Sequence, residues 1–174
     1  RMSRGTAIVN LLNLNSDEKI AATYRLDDDL DLDNKYLLMV TKNGIVKKSL
    51  LTHYVNVNSK GKIALTIRED DELISVLLTD GTKDIFIASN NGLALRYNET
   101  KVRSLGRVAT GVRGIKLREG AFVVGATILE PNKEVLFVTS KGYGKISNID
   151  GFRVSAGRTG YGVKAFKLTE KTGD

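Results

Sequence analysis

Lysine and arginine are the residues of this sequence whose type and spacing could do chemistry, because they concentrate in three segments that are almost free of acids. Residues 42–62 contain five bases and no acid, residues 96–118 contain seven bases and one acid, and residues 141–167 contain six bases and one acid. A row of positive side chains can neutralise the repeated phosphates of a duplex without reading its bases. We therefore predict that these segments bind a polyanion.

Fourteen bases from these segments are the predicted phosphate contacts: Lys42, Lys47, Lys48, Arg96, Lys101, Arg103, Arg107, Arg113, Lys116, Lys141, Lys145, Arg153, Arg158 and Lys164. Glycines lie among them, including Gly111, Gly114 and Gly162, and we expect these to let backbone N–H groups approach phosphates closely. Aromatic residues make up 6% of the chain and do not alternate with the bases, which argues against a stacking platform for single strands.

Catalytic chemistry has little support in the composition. The chain has no cysteine, a single histidine, His53, and no phosphate-binding P-loop. The acidic run between Asp27 and Asp33 lacks the glycine and the terminal glutamate of an EF-hand, so we interpret it as an acidic loop. We expect no catalytic residue, no metal site and no cofactor in this chain.

Composition also indicates the class of protein. The formal charge is +7, the isoelectric point is about 9.6, and 41% of the residues are hydrophobic. No apolar run approaches the roughly 20 residues of a membrane helix, and the absence of cysteine suits a reducing compartment. We expect a soluble, basic, cytoplasmic protein with no membrane partner.

A repeat of about 50 residues organises the bases. The stretches 36–49, 84–97 and 134–147 each contain an apolar run, a small hydroxyl residue, two polar residues, a glycine and a second run that carries a base. The glycines, Gly44, Gly92 and Gly142, lie 48 and 50 residues apart. Glycine between two apolar runs is typical of a hairpin turn, because it accepts a positive φ.

About four short strands fit into each unit, which predicts an all-β, propeller-like array of four-stranded blades. The expected boundaries are 1–35 for the end of a preceding blade, 36–83 for repeat 1, 84–133 for repeat 2, and 134–174 for repeat 3 and the start of the next. A non-repeating β-sandwich is the alternative. In a blade array, one basic segment from each blade would reach the same edge.

Several motifs resemble the C-terminal domain of the DNA gyrase A subunit. They are RGTAIVNLLNLNSDEKIAAT at 4–23, VTKNGIVKKS at 40–49, KVRSLGRVATGVRGIKLREG at 101–120 and VTSKGYGKIS at 138–147. The resemblance covers essentially the whole chain. The pattern Arg-x-x-Gly-Arg-x-x-x-Gly-Val-Arg-Gly-Ile within the third stretch is its most specific part.

This resemblance implies a β-pinwheel, in which neighbouring blades exchange strands, with a basic perimeter that bends and wraps duplex DNA. It also implies a non-catalytic module of a type IIA topoisomerase, which supports ATP-dependent negative supercoiling in the bacterial cytoplasm, near the nucleoid. The implied partners are double-stranded DNA, the N-terminal region of gyrase A and the gyrase B subunit, in an assembly of two A and two B subunits.

The chain departs from the family at one motif. The Gln-basic-Arg-Gly-Gly-basic-Gly box of the family is not intact, and residues 106–117 and 155–166 are degenerate counterparts of it. Arg1 to Leu14 resembles the end of the box-bearing blade, so the chain resembles an internal fragment. Two alternatives remain: the related C-terminal domain of the topoisomerase IV A subunit, and a propeller-type scaffold for protein interactions.

Overall fold

The computed structural model describes residues 18–26, 31–55 and 61–173. The predictions made for Arg1 to Leu14 and for the first acids of the Asp27–Asp33 run lie outside these ranges. Ten strands occur within them: β1 (Tyr36–Thr41), β2 (Ile45–Leu50), β3 (Leu73–Thr79), β4 (Asp84–Ser89), β5 (Leu93–Asn98), β6 (Val112–Arg113), β7 (Val123–Leu129), β8 (Glu134–Val138), β9 (Gly144–Asn148) and β10 (Val163–Lys164).

The strands form two four-stranded sheets, in the orders β3-β1-β2-β6 and β7-β4-β5-β10, and a two-stranded sheet, β8-β9. Each sheet begins from a hairpin, and the second strand of each hairpin leads into a short 3-10 turn. In each four-stranded sheet, a further strand from the same repeat, β3 or β7, pairs with the first strand of the hairpin. We call the strand at the opposite edge, β6 or β10, the outer strand. All pairs between these strands are antiparallel. The prediction of an all-β array of four-stranded blades is confirmed.

The outer strand of each four-stranded sheet comes from the following repeat. β6 lies after β5 in the sequence but pairs with β2, where Arg113 is opposite Ile45. β10 pairs with β5 in the same register, with Lys164 opposite Leu93. Successive blades therefore exchange strands, so that a blade and a sequence repeat do not coincide.

The hairpin turns follow the repeated sequence pattern. Gly44, Gly92 and Gly142 have φ values of 78°, 75° and 80°, which confirms that these turns need the left-handed region. The hydroxyl oxygens of Thr41 and Thr139 each accept an N–H four residues later at 3.2 Å, whereas the hydroxyl of Ser89 donates to the Leu93 carbonyl oxygen at 3.1 Å.

Two apolar clusters hold the blades together. The first joins the two four-stranded sheets through residues such as Val40, Ile87 and Tyr97. The second lies between the second and third sheets, where the rings of Phe86 and Phe152 meet edge to face with centroids 4.9 Å apart. Within the described ranges, no helix has the length and hydrophobicity that crossing a bilayer requires.

The glycines near the exchanged strands have a packing role. A Cβ at Gly111 would overlap the carbonyl oxygen of Val46, and one at Gly162 would overlap that of Ala94. One at Gly114 would overlap the side chain of Val46. Packing against the neighbouring strand therefore accounts for these three glycines, and the N–H of Gly114 already donates to the Gly44 carbonyl oxygen at 2.8 Å. The approach of phosphates to Gly111 and Gly162 stays a prediction.

Candidate nucleic-acid interface

Lys47, on β2, is fully buried. Its Nζ donates hydrogen bonds to the carbonyl oxygens of Ala64 and Arg107, and to the hydroxyl of Tyr54 at 3.3 Å. Burial, and secondarily the positive charge of Arg107, lowers the pKa of Lys47 to about 8. The Lys47 side chain therefore connects β2 to the segments that contain Ala64 and Arg107.

Lys48, the next residue, is 6% exposed and faces the second blade. Its Nζ lies 3.6 Å from Oε2 of the buried Glu99 and donates to the Glu99 carbonyl oxygen at 3.0 Å. Oε1 of Glu99 accepts from the Thr79 hydroxyl and, at 2.9 Å, from the backbone N–H of Lys83. The pair is therefore a tie between the first two blades.

Arg96 repeats this tie one blade later. Its guanidinium forms a two-pronged pair with Oδ2 of Asp84, with both distances 2.9 Å. Its Nη1 also donates to the carbonyl oxygens of Ile149 and Phe152, at 2.9 and 3.1 Å. Ile149 occupies in the third repeat the place that Glu99 has in the second, so the two ties correspond.

These placements correct the prediction for three of the fourteen bases. Lys47 and Lys48 are buried, and the guanidinium of Arg96 is held by Asp84 and two carbonyl groups. Their charges are satisfied inside the protein and are not presented to a ligand. The sequence pattern could not show that these bases are buried, because the type and spacing of a lysine on a strand are the same whether it faces solvent or a neighbouring blade.

Three further predicted bases lie at the hairpins. Lys42 is half-buried and lies 3.7 Å from a carboxylate oxygen of Glu72. Lys141 and Lys145 are exposed, and their Nζ atoms donate to the carbonyl oxygens of Glu170 and Ala165. Lys145 therefore contacts the segment after its own blade, as Lys47 does.

The remaining predicted bases lie in the two connections that lead to the exchanged strands. Lys101, Arg103, Arg113, Lys116, Arg153 and Lys164 are exposed, and Arg107 and Arg158 are half-buried. Arg103 and Arg153 are 50 residues apart, and Arg113 and Lys164 are 51 apart at the same register position of the exchanged strands. The two connections thus present the same type of charge at equivalent places.

Arg158 joins the two connections. Its Nε donates to the Lys101 carbonyl oxygen at 3.2 Å, and its Nη1 donates to the Arg113 carbonyl oxygen. Arg107 makes the equivalent contact one repeat earlier, from Nη1 to the Ile63 carbonyl oxygen at 2.8 Å. The backbone N–H of Lys116 also donates to Gly160 at 2.9 Å, so residues of the second and third repeats are brought side by side.

The surface continues past Lys116 into an open groove. Arg118, Lys164 and Lys167 line this groove, which has a volume of about 710 Å³ and also contains Glu119 and the amides of Asn90 and Asn91. We call the continuous surface from Lys101 to this groove the basic belt. Its members are Lys101, Arg113, Lys116, Arg118, Arg158, Lys164 and Lys167.

The bases of the belt belong to no ion pair found in the described ranges, although Arg158 donates to two carbonyl oxygens. The ion pairs found within the described ranges use other bases, namely Lys42, Lys48, Lys83 and Arg96. In those same ranges no group of three or more histidine or acidic residues is placed to hold a metal ion. The belt can therefore neutralise a row of anionic groups.

Two members of the belt, Arg118 and Lys167, lie in the predicted basic segments but are not among the fourteen predicted contacts. Lys167 lies 51 residues after Lys116, and Arg118 lies two residues after Lys116. The repeat spacing could have identified Lys167. The position of Arg118 in the groove depends on residues far away in sequence, such as Asn90 and Phe166.

Comparison with known proteins relates this chain to a family and to a curated relative. The family described as "DNA gyrase C-terminal domain, beta-propeller" matches residues 35–80, 83–130 and 133–174. The DNA gyrase A subunit of Staphylococcus aureus (strain MRSA252) is 44% identical over 176 residues, which is 100% of this chain and 20% of that protein. The chain thus spans about a fifth of the length of this curated relative.

Two solved structures have the same fold over most of the chain. The C-terminal domain of DNA topoisomerase IV superposes with a TM-score of 0.83 at 33% identity, covering 92% of this chain and 49% of that one. A DNA gyrase A C-terminal domain superposes with a TM-score of 0.83 at 28% identity, covering 98% and 56%.

Proposed function

Because the chain belongs to the DNA gyrase C-terminal domain family, we propose that it binds and bends duplex DNA as the wrapping module of gyrase A. The observation that supports this most directly is the basic belt, which crosses two exchanged strands without an intervening ion pair in the described part of the chain. The acid Glu119 also lines the groove at the end of the belt.

The belt suits the backbone of a duplex more than its bases. The described side chains on it are mainly long cations, which act on phosphate as point charges or forks and carry no base-reading geometry of their own. Neutralising phosphates along one side of a duplex also favours bending toward that side. Any preference among sequences would then come from how easily the DNA bends.

The wider role follows from the family and is part of the same proposal. The module acts in an assembly of two A and two B subunits, with the N-terminal region of gyrase A and with gyrase B, at the bacterial nucleoid. Strand cleavage and ATP hydrolysis take place outside this chain, which itself needs no cofactor. Its part is to present wrapped DNA to the cleavage site during negative supercoiling.

The test is duplex binding as a function of salt concentration. Each phosphate contact contributes about −0.9 to the slope of log K against log salt concentration. We expect a steep negative slope for the parent chain. A slope near zero would exclude the proposal and would favour a scaffold for protein interactions.

A matched pair of variants locates the DNA path. The belt variant carries Arg113→Gln, Lys116→Gln and Lys164→Gln, and the control carries Lys19→Gln, Lys133→Gln and Lys171→Gln at exposed positions outside the belt and outside the three basic segments. Both lose three positive charges. We expect the belt variant to reduce the steepness of the slope by roughly 3, and the control to keep the parent slope. Equal effects would place the DNA elsewhere.

The C-terminal domain of the topoisomerase IV A subunit is the second candidate, because that fold superposes with the same TM-score. Gyrase is the better match, since the family and the curated relative both carry its name. Sealing nicked circular DNA in the presence of the protein separates the two. A wrap of fixed handedness shifts the linking number in one direction, whereas simple binding leaves it unchanged.

A further inference from the structure

Tyr161 is an exposed aromatic residue in contact with two cations of the basic belt. Its side chain is 39% exposed, although it lies between two glycines in a tightly packed connection. The Nζ of Lys116 lies 4.7 Å from the centre of its ring, and the Cζ of Arg118 lies 5.7 Å from the same point. Both distances are within the range of a cation–π contact.

The backbone on either side of Tyr161 is fixed. The carbonyl oxygen of Gly160 accepts the N–H of Lys116 at 2.9 Å. Gly162 has a φ of 87°, and a Cβ there would overlap the backbone of Ala94 on β5. The ring is therefore attached to a rigid support that also contacts the chain segment carrying Lys116 and Arg118.

The two cations repel each other, and the ring offsets this repulsion. The face of an aromatic ring carries partial negative charge, so it attracts a cation placed over it. Holding Lys116 and Arg118 at one ring also reduces the side-chain entropy that each would lose on binding a phosphate.

The preceding repeat has a different set of residues at the equivalent positions. Thr110 precedes Gly111 there as Tyr161 precedes Gly162, and Thr66 and Arg68 correspond to Lys116 and Arg118. The hydroxyl of Thr66, at the position equivalent to Lys116, donates to the carbonyl oxygen of Val108. A hydrogen bond within the protein therefore takes the place of the cation–ring contact in this repeat. The aromatic residue thus occurs in the repeat where two cations face it.

We propose that Tyr161 is a positioning residue of the DNA interface, which holds Lys116 and Arg118 in place for contact with phosphates of a duplex. This inference rests on the proposed function. Tyr161 acts through the two cations and makes no base contact of its own. It also links the DNA-binding segments of two repeats, since Tyr161 belongs to the third repeat and the cations belong to the second.

The experiment compares Tyr161→Leu and Tyr161→Phe in the complete chain, with a fluorescently labelled duplex at low and at higher salt. Leucine removes the ring face, whereas phenylalanine keeps it and removes only the hydroxyl. We expect Tyr161→Leu to weaken binding about two- to fivefold at low salt. Tyr161→Phe should bind as the parent does.

The same substitution in a Lys116→Gln, Arg118→Gln background separates positioning from a general structural effect. With both cations removed, Tyr161→Leu should cause no further loss of affinity. An equal loss in both backgrounds would overturn the proposal, as would parent-like binding by Tyr161→Leu or a Phe variant as weak as the Leu variant. If the Leu variant does not fold, Tyr161→Thr takes its place with the same expected outcomes, because threonine is the natural residue at position 110.

Failure of the proposed function gives a different result from failure of this inference. A parent chain that does not bind the duplex refutes both, whereas a parent that binds with a steep salt slope but is insensitive to Tyr161→Leu refutes only the positioning role.

Discussion

At the level of single side chains, burial divides the bases of this chain into two groups with different roles. Lys47, Lys48 and Arg96 donate to carbonyl groups and carboxylates of neighbouring segments. The exposed bases Arg113 and Lys116 belong to no ion pair found in the described part of the chain. The first group fixes how the blades fit together, and we propose that the second binds DNA.

Lys47 gives a prediction for the pH dependence of stability. Its pKa in the folded chain is about 8, below the ordinary value of 10.5, so between these values the unfolded chain binds a proton that the folded chain does not. Stability therefore rises with pH in this window, by up to about 1.4 kcal/mol per pH unit for one proton. Urea denaturation between pH 8 and 9.5 should show this rise in the parent relative to Lys47→Met. Parallel curves for the two proteins would contradict the assignment.

The Lys48–Glu99 tie predicts strong coupling between two residues. Lys48→Met leaves the Glu99 carboxylate buried without its cation, which should cost about 3–5 kcal/mol. Lys48→Met combined with Glu99→Gln should cost less than the sum of the single changes, because no uncompensated charge remains. Urea denaturation of the four proteins at pH 7 measures this coupling. Additive costs would show that the pair does not act as a unit.

At the level of elements, the exchanged strands decide which turns tolerate a side chain. Gly92 and Gly142 occupy equivalent turns with φ values of 75° and 80°. A Cβ at Gly92 would overlap the carbonyl oxygen of Phe166, just after β10, whereas a Cβ at Gly142 meets nothing within 4 Å. The difference arises because the second blade has received its outer strand, while the third sheet has only β8 and β9 in the described part of the chain.

This difference predicts unequal effects of the same substitution. Gly92→Ala and Gly142→Ala should both lose about 1 kcal/mol, because alanine is strained at positive φ. Gly92→Ala should lose at least about 1 kcal/mol more, since β10 must also move. Thermal unfolding of the two variants beside the parent is the measurement. Equal stabilities would mean that the segment after β10 does not pack against this turn.

The third sheet also leaves apolar side chains exposed. Leu136, Val138 and Ile146 have 61%, 65% and 61% of their surface accessible, whereas the equivalent strands β1 and β4 are largely buried. An apolar cavity of about 340 Å³ lies between β7 and β8. The stability of the array therefore depends on how many strands each blade receives from its neighbours.

At the level of the whole molecule, the repeat converts separated bases into one surface. Arg158 and the Lys116–Gly160 hydrogen bond join connections that are about one repeat apart in sequence. The basic belt joins segments of the second and third repeats, and we propose that a duplex bound along it bends to contact both.

Bending predicts a shorter end-to-end distance in the bound duplex. Energy transfer between dyes at the two ends should increase when the chain binds, and the Arg113→Gln, Lys116→Gln, Lys164→Gln variant should reduce this increase. A duplex with flexible pyrimidine–purine steps should bind more tightly than a stiff A-tract of equal length. Binding without a change in energy transfer would indicate a straight DNA path.

The sequence determined the features that depend on local chemistry and on period. Glycine spacing predicted the hairpins and their positive φ, and the units of about 50 residues predicted an all-β array of four-stranded blades. Motifs such as the one at 101–120 indicated the family. These conclusions hold because turn geometry and the alternation of apolar residues in strands depend on residues that are close in sequence.

Only the tertiary structure decided which bases face solvent. Lys47 and Lys116 are both lysines in repeated basic segments, yet one is buried against three oxygen atoms and the other lies over the ring of Tyr161. Their partners lie 7 to 60 residues away in sequence, and two of them, Arg107 and Tyr161, lie in the connections that lead to the exchanged strands. Burial is a property of how distant segments pack, so residue type and spacing predicted that bases recur but not which of them a ligand can reach.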